Sequence, residues 1–260
     1  MKRVAGLGLA LVAIAWGAPA RGQPVGGAFL ANTYTVGLQT APAMAIAPGG
    51  QFVVVWESFE QDGDYIGIFG QRYSSSGVKQ GAEFPVNDYT AGPQEAPAVA
   101  VGADGGFVVV WQGYGEGGDY QDVFARRYDN AGAALGGEFQ VNTASALLEG
   151  AAAVSPLGGG FVIVWDDYDD VFARRYDGAG AALGGGFQVN LTTIGFQGSA
   201  DVAATADGGF VVAWEDGNFL DQGSDGGGYG VFARRFDGSG MPVGGEFQVN
   251  AATVGDQYGV

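Results

Sequence analysis

The sequence predicts an all-β protein, a β-propeller-like array of four four-stranded blades followed by a partial fifth repeat. Two observations lead to this fold class. One apolar strand that ends in tryptophan occurs four times, and three further segments of strand composition accompany it in a fixed order. Gly, Asp and Asn turns separate the segments, and none of them has a helical period. Four strands in a repeat of roughly 50 residues are typical of propeller blades.

The four segments of each copy are labelled a to d in chain order. Strand a is rich in alanine, as in "APAMAIA", and a Gly-Gly turn follows it. Strand b has the form "GGFVVVW". Strand c has the form "VFARRY" and leads into a D-x-x-G turn such as "DNAG", and strand d has the form "EFQVN". Strand b is apolar at consecutive positions, so both of its faces must be buried and neighbouring blades are obligatory.

A tryptophan ends each copy of strand b. The four are Trp56, Trp111, Trp165 and Trp214. We interpret each one as the large packing residue between one blade and the next, because a run of apolar residues places it in a buried strand. A ring of aromatic platforms for sugars is the alternative.

The repeats divide residues 21–260, which we take as one repeat domain. Their limits are about 27–82, 83–137, 138–185 and 186–245, with the partial copy at 246–260. The domain opens on an extra strand d, "GAFLAN", although the fourth copy has its own strand d at 246–250. Either four blades close with one strand to spare, or the array is an incomplete part of a larger ring, which the broken fifth copy favours.

Residues 1–20 have the pattern of a secretory signal peptide. Lys2 and Arg3 precede an apolar run, and a small-x-small site ends at Ala20. The run is short for a membrane span. We therefore expect a protein that is secreted or held at the cell surface or in the periplasm, with no membrane insertion.

The amino-acid composition excludes several kinds of partner and of catalytic site. The chain has 28 Asp plus Glu against 11 Lys plus Arg, a net charge of −17, and no His or Cys. An acidic surface repels nucleic acid, so we expect no nucleic acid partner, whereas a carbohydrate or a protein remains open. Thiol catalysis, thiolate metal sites and disulfides are excluded.

The loops between strands b and c are the variable part of the repeat. From the tryptophan to the strand-c phenylalanine the steps are 13, 13, 7 and 18, whereas 15 residues separate the strand-c and strand-d phenylalanines in every copy. Since neighbouring strands run antiparallel, the b–c loops and the d–a connections share one end of the array. Variable loops on a rigid scaffold are where binding usually lies.

These loops are acidic, and their carboxylates indicate a Ca²⁺ site, because hard cations take oxygen ligands. The candidate ligands are Asp62, Asp64, Asp119, Asp122, Asp167, Asp169, Asp221 and Asp225. No copy has the full spacing of a calcium loop or its closing glutamate. A solvated acidic rim without a metal is the alternative.

An arginine recurs on strand c in a half-buried setting. The four are Arg72, Arg127, Arg175 and Arg235. A buried guanidinium needs an acceptor, and the acids just after the tryptophan are the candidates: Glu57, Asp166 and Glu215. We interpret these arginines as structural, with an anion site as the alternative.

The unit "GGEFQVNT…DGGFVVVW…VFARRYD" resembles repeats of bacterial exported and cell-surface proteins, which often stand beside calcium-binding or adhesion modules. The resemblance covers about residues 26–260. It implies a propeller-like β-fold and a surface location, and it brings no catalytic or cofactor-binding residues. The chain lacks the Gly-Gly-x-Gly-x-Asp run of longer members.

For function we expect a non-enzymatic exported binding or scaffold module whose ligand is unknown. The alternative is a carboxylate-dependent glycosidase or lyase, since paired Asp and Glu suffice for that chemistry. The acids repeat around the array and no copy stands out by a unique motif, which favours the first expectation.

Overall fold

A computed structural model describes residues 27–115, 121–143, 150, 152–167, 169–217 and 228–251. The chain forms two compact units, Met1–Leu30 and Ala31–Val260. All the strands assigned within the described residues lie in the second unit. The expected signal peptide, residues 1–20, lies outside the described part. In that part no helix has the length and apolar character needed to cross a membrane.

Four antiparallel sheets of four strands each make up the second unit. Blade 1 contains β1 (Gln39–Ile46), β2 (Phe52–Phe59), β3 (Ile66–Tyr73) and β4 (Lys79–Pro85). Blade 2 contains β5 (Gln94–Val101), β6 (Phe107–Gly113), β7 (Asp122–Tyr128) and β8 (Phe139–Gln140). Blade 3 contains β9 (Ala153–Leu157), β10 (Gly160–Asp166), β11 (Val171–Tyr176) and β12 (Phe187–Gln188). Blade 4 contains β13 (Phe196–Ala204), β14 (Phe210–Gly217), β15 (Gly230–Phe236) and β16 (Phe247–Gln248).

The order of strands in every sheet is a, b, c, d, which confirms the predicted four-stranded blades. The alanine-rich strands a are neighbours in space, because β1 packs against β5, β5 against β9, and β9 against β13. The predicted propeller-like array is confirmed.

Each strand b has two buried faces that meet different neighbours. We call the face that carries the Phe, the central apolar residue and the Trp the leading face, and the opposite face the trailing face. The trailing face of blade 1 (Val53 and Val55) shares one apolar cluster with Phe107, Val109 and Trp111 on the leading face of blade 2.

The same arrangement repeats along the chain. Val108 and Val110 of blade 2 pack with the leading face of blade 3, which carries Trp165. Val162 and Val164 of blade 3 pack with the leading face of blade 4, which carries Trp214. The last three tryptophans thus lie between successive blades, and Trp56 is buried on the leading face of blade 1.

Candidate functional site

Two residues follow the tryptophan at the loop end of each strand b. They are Glu57 and Ser58 in blade 1, Gln112 and Gly113 in blade 2, Asp166 and Asp167 in blade 3, and Glu215 and Asp216 in blade 4. Successive side chains of a strand point to opposite faces. The first residue of each pair therefore lies on the trailing face and the second on the leading face.

The interface between blades 3 and 4 receives a carboxylate from each side. Asp166 lies on the trailing face of blade 3 and is 2% exposed, and Asp216 lies on the leading face of blade 4 and is 1% exposed. The interface between blades 1 and 2 receives Glu57 and Gly113 at these positions. Within the described residues, only the interface between blades 3 and 4 holds two buried acids at its loop end.

The interface between blades 2 and 3 differs as well. It receives Gln112 from blade 2 and Asp167 from blade 3, and both side chains are only partly buried. Burying a carboxylate is costly unless its surroundings compensate it. Glu215 is also buried, at 7% exposed, but it lies on the trailing face of blade 4. Asp166 and Asp216 are therefore distinguished by sharing one interface between two described blades.

A glycine leaves room for the Asp166 side chain. The N–H of Gly150 donates to the Asp166 carbonyl oxygen at 2.6 Å, and a Cβ at position 150 would lie 2.2 Å from Asp166 Oδ1. Blade 1 has Thr40 at the corresponding position, and its hydroxyl donates to Glu57 Oε2 at 2.8 Å. The glycine thus replaces a side chain that partners the acid in blade 1.

Glu57 links two blades. Its Oε1 accepts the N–H of Ala96 at 2.8 Å, at the bulge in strand a of blade 2 where Ala96 has φ +50°. Together with the Thr40 hydroxyl, this bond gives both Glu57 oxygens a protein partner. We assign Glu57 a structural role.

Two buried polar atoms of blade 4 border the Asp216 position. Gln197 lies directly opposite Asp216 in the strand register. In blade 2 the equivalent glutamine, Gln94, accepts the indole N–H of Trp111 at 3.0 Å. In blade 4 neither Gln197 Oε1 nor Trp214 Nε1 has a hydrogen-bond partner within the described residues. Unsatisfied buried polar atoms are uncommon and need an explanation.

The acids predicted as calcium ligands do not form one group. Asp62 accepts the Asn87 side-chain N–H at 3.2 Å, and Asp64 accepts the N–H of Gly92 at 3.0 Å. Asp122 accepts the Asn142 side-chain N–H at 2.8 Å. Asp167 accepts the N–H of Asp169 at 3.2 Å. Asp119, Asp221 and Asp225 lie outside the described residues.

Within the part of the chain that the structure describes, no three acids are arranged to hold a metal ion. The Ca²⁺ site therefore stays a prediction. Two of these acids, Asp62 and Asp122, instead accept a hydrogen bond from the asparagine that follows strand d. In turn, Asn87 and Asn142 accept the backbone N–H groups of Ile68 and Val123, near the start of strand c.

Asp170 accepts the side-chain N–H of the asparagine after strand d in blade 3, as Asp62 and Asp122 do in blades 1 and 2. Asp170 was not among the predicted ligands. Its Oδ1 accepts the Asn190 side-chain N–H at 2.7 Å. Burial raises the pKa of the Asp170 carboxyl, although the Asn190 hydrogen bond acts against that rise. Its sequence signal is its place immediately before the strand-c valine.

The strand-c arginines bind other partners than predicted. Arg72 donates to the backbone carbonyls of Asn130 and Ala131, in the c–d turn of blade 2. Arg127 donates to the Gly178 and Ala179 carbonyls of blade 3, and Arg175 donates to the Ser239 carbonyl of blade 4. Arg235 pairs with Asp207 of its own blade. The predicted pairing with Glu57, Asp166 and Glu215 is corrected accordingly.

The glycine of the c–d turn admits the arginine. Gly132 has φ +83°, and a Cβ there would lie 2.7 Å from Arg72 Cδ. Gly180 has the same relation to Arg127. The D-x-x-G turn thus combines a left-handed conformation that favours glycine with a close approach by the arginine of the preceding blade.

Two cavities lie at the opposite end from the buried acids. One of about 860 Å³ is lined by the a–b turns of blades 1 to 3, including Pro48, Asp104 and Gly159. The other, of about 360 Å³, lies beside Arg72 and Ser75. The acids that line the larger cavity, Asp104 and Asp129, are exposed and partly buried, unlike Asp166 and Asp216. Residues of the loop end, among them 116–120 and 218–227, lie outside the described part.

Solved structures with the same fold include carbohydrate-active enzymes. A protein of unknown function from Dyadobacter fermentans aligns with TM-score 0.55 at 12% identity over 85% of this chain and 67% of its own. A thermostable family-43 glycoside hydrolase aligns with TM-score 0.51 at 13% identity over 83% and 78%. The endo-arabinase from Bacteroides thetaiotaomicron aligns with TM-score 0.50 at 12% identity over 81% of both chains.

No protein-family model matches the chain. No curated protein matches it significantly either. At 12–13% identity the structural similarity shows the fold.

The expectation of a non-enzymatic binding or scaffold module is wrong in the light of these comparisons. Enzymes described as glycoside hydrolases share the fold, and they favour the alternative, a carboxylate-dependent glycosidase. The reason given against an enzyme also fails, because within the described residues one interface brings two buried acids together and the other interfaces do not. The chain is thus similar in fold to propeller-type glycoside hydrolases.

Proposed function

We propose that the protein is a carboxylate-dependent glycosidase whose acids are Asp166 and Asp216. The observation that carries the proposal is that these two carboxyl-bearing residues, each nearly fully buried, lie on the facing surfaces of blades 3 and 4. Glycoside hydrolysis commonly uses two carboxyl groups, one that protonates the leaving oxygen and one that acts as base or nucleophile.

The surroundings of the pair suit this chemistry. Desolvation and a second nearby acid both favour the protonated form of a carboxyl group, which is the form that a general acid needs. Gly150 leaves space beside Asp166. Gln197 Oε1 and Trp214 Nε1, which have no hydrogen-bond partner in the described part of the chain, supply one acceptor and one donor, the groups that bind sugar hydroxyls.

The fold neighbours support a carbohydrate substrate. Two of them are described as a family-43 glycoside hydrolase and an endo-arabinase. An exported location would give such an enzyme access to polysaccharide outside the cell, and it forms part of the proposal.

A screen of aryl glycosides and polysaccharides tests the proposal. We expect release of aryl alcohol or reducing sugar from at least one substrate. Trace contamination is the usual false positive, so the same purification of an Asp166→Asn variant serves as the blank. Absence of turnover across arabinosides, xylosides, mannosides, galactosides and glucosides would contradict the proposal.

A further inference from the structure

Neighbouring blades are joined by a set of contacts that repeats along the chain. In blades 1 to 3 the strand-c arginine, Arg72, Arg127 or Arg175, donates to turn carbonyls of the next blade. A second arginine donates backwards: Arg126 to the Val86 carbonyl at 2.8 Å, Arg174 to Val141 at 2.8 Å, and Arg234 to Val189 at 2.7 Å. Each of these valines directly follows strand d of the preceding blade.

A glutamate completes the set at two interfaces. Glu138 of blade 2 accepts the N–H of Asp88 at 2.6 Å, and Glu246 of blade 4 accepts the N–H of Leu191 at 2.6 Å. Both donors lie in the d–a connection of the preceding blade. Blade 3 has Gly186 at this position, so the contact is not made there.

Blade 4 presents the same groups, and no blade packs against them within the part of the chain that the structure describes. Val249 is 55% exposed, whereas its counterparts Val86, Val141 and Val189 are fully buried. Val211 and Ala213 on the trailing face are partly exposed, although the equivalent Val162 and Val164 are fully buried. Arg235 turns to Asp207, and both side chains are about half exposed.

On the other side of the array, a segment that precedes blade 1 makes the contacts that strand d of a preceding blade makes elsewhere. The Tyr73 hydroxyl donates to the Ala31 carbonyl at 2.7 Å, as the Tyr128 hydroxyl donates to the Val86 carbonyl at 3.4 Å. The N–H of Thr33 donates to Glu83 at 2.6 Å, as the N–H of Asp88 donates to Glu138. The segment Ala31–Thr33 therefore occupies the position where strand d of a preceding blade ends.

We propose that the trailing face of blade 4 is a docking surface for a three-stranded unit of this same repeat, with strands a, b and c but no strand d. That unit packs its leading face on Val211 and Ala213, donates an arginine to the Val249 carbonyl, and receives Arg235 in its c–d turn. Its strand-d position is taken by the segment that ends at Asn32. A complete four-stranded blade, including blade 4 of a second copy, would bring a second strand d to that position.

Grafting tests this docking surface directly. Gln257 stands seven residues after Asn250, as Gln94 stands after Asn87, so a copy of residues 98–132 added after Val260 supplies strands a to c in register. The matched control adds a copy of residues 98–142, which includes strand d. The unextended chain is the reference.

The three-stranded graft is expected to raise the melting temperature by about 5 °C or more, since it buries an additional blade interface. The control graft is expected to raise it less. Arg235→Ala is expected to lower the melting temperature of the three-stranded graft and to leave the unextended chain almost unchanged. Protease protection of the grafted residues reports docking independently of the melting temperature.

Three results would overturn the proposal. One is equal melting of the grafted and unextended chains with a protease-sensitive graft. Another is an equal or larger gain from the four-stranded control. The third is a concentration-dependent dimer of the unextended chain that Val249→Asp abolishes, because the occupant would then be a second copy.

Discussion

Gly150, which precedes β9, donates its N–H to the carbonyl oxygen of Asp166 at the end of β10, and a Cβ on Gly150 would lie 2.2 Å from Asp166 Oδ1. The carboxylate thus fills the space that a side chain at position 150 would need. This relationship leads to the first prediction.

Gly150→Ala should displace Asp166 and lower kcat/KM by about 100-fold, because an error of about 1 Å in a catalytic group costs that much. Steady-state kinetics on the best substrate measures the loss. Gly185→Ala is the matched control, since nothing lies within 4 Å of a Cβ at that position. Equal kinetics for the two variants would show that the room beside Asp166 has no catalytic consequence.

Trp111→Ala should lower the free energy of unfolding by ~3–5 kcal/mol, the usual range for a buried tryptophan. Trp111 is fully buried between blades 1 and 2 and also donates to Gln94. Urea unfolding measures the loss, with the half-exposed Leu135→Ala as the control. A midpoint equal to that of the parent would rule out the packing role.

Tyr128 should make the fold sensitive to alkali. Burial raises the pKa of the Tyr128 hydroxyl to about 12, and the unfolded value is 10.0. The unfolded chain therefore ionises first as the pH rises, so stability is retained below pH 10.0 and lost up to about pH 12. Two pKa units correspond to roughly 2.7 kcal/mol.

Tyr128→Phe should remove this part of the pH dependence. Urea unfolding of parent and variant at about pH 9 and about pH 12 measures it by linkage. Tyr65→Phe is the control, since Tyr65 is 60% exposed. An alkaline loss of the same size in parent and Tyr128→Phe would contradict the prediction.

Calcium should raise the melting temperature more than NaCl of equal ionic strength does, if the acidic loops bind it. Extracellular sites of this kind have dissociation constants of ~10⁻⁴–10⁻³ M, so millimolar Ca²⁺ is the appropriate range. The double variant Asp62→Asn, Asp64→Asn should lose part of the gain, with Asp104→Asn on an a–b turn as the control. Equal effects of the two salts on the melting temperature would show that the loops form a solvated acidic rim without a metal site.

The repeat pattern was sufficient to predict the blades, because strand b is apolar on consecutive positions and needs a neighbour on each side. It also placed the tryptophans in strands that must be buried. The repeat pattern could not predict the hydrogen-bond partners of the strand-c arginines. Arg72 binds carbonyls of the following blade, and backbone carbonyls leave no signature in a sequence.

The sequence could not single out the pair Asp166 and Asp216 for a related reason. Glu57, Asp166 and Glu215 occupy one repeat position, so they read as equivalent in the sequence. Only the packing of one blade on the next sets Asp216 beside the Asp166 face and gives Glu57 partners of its own.

Comparison of Asp166→Asn, Asp216→Asn and Asp167→Asn in one assay tests the central claim most directly. Asparagine keeps the size of the side chain and removes the carboxyl chemistry. Asp167→Asn is the control, because Asp167 follows Asp166 in the chain and is only partly buried. We predict that each of the first two lowers kcat by at least about 100-fold, the scale of general acid–base catalysis, while circular dichroism and melting temperature show a folded protein and Asp167→Asn retains activity. Full activity in folded Asp166→Asn or Asp216→Asn would contradict the assignment of this pair as the catalytic acids.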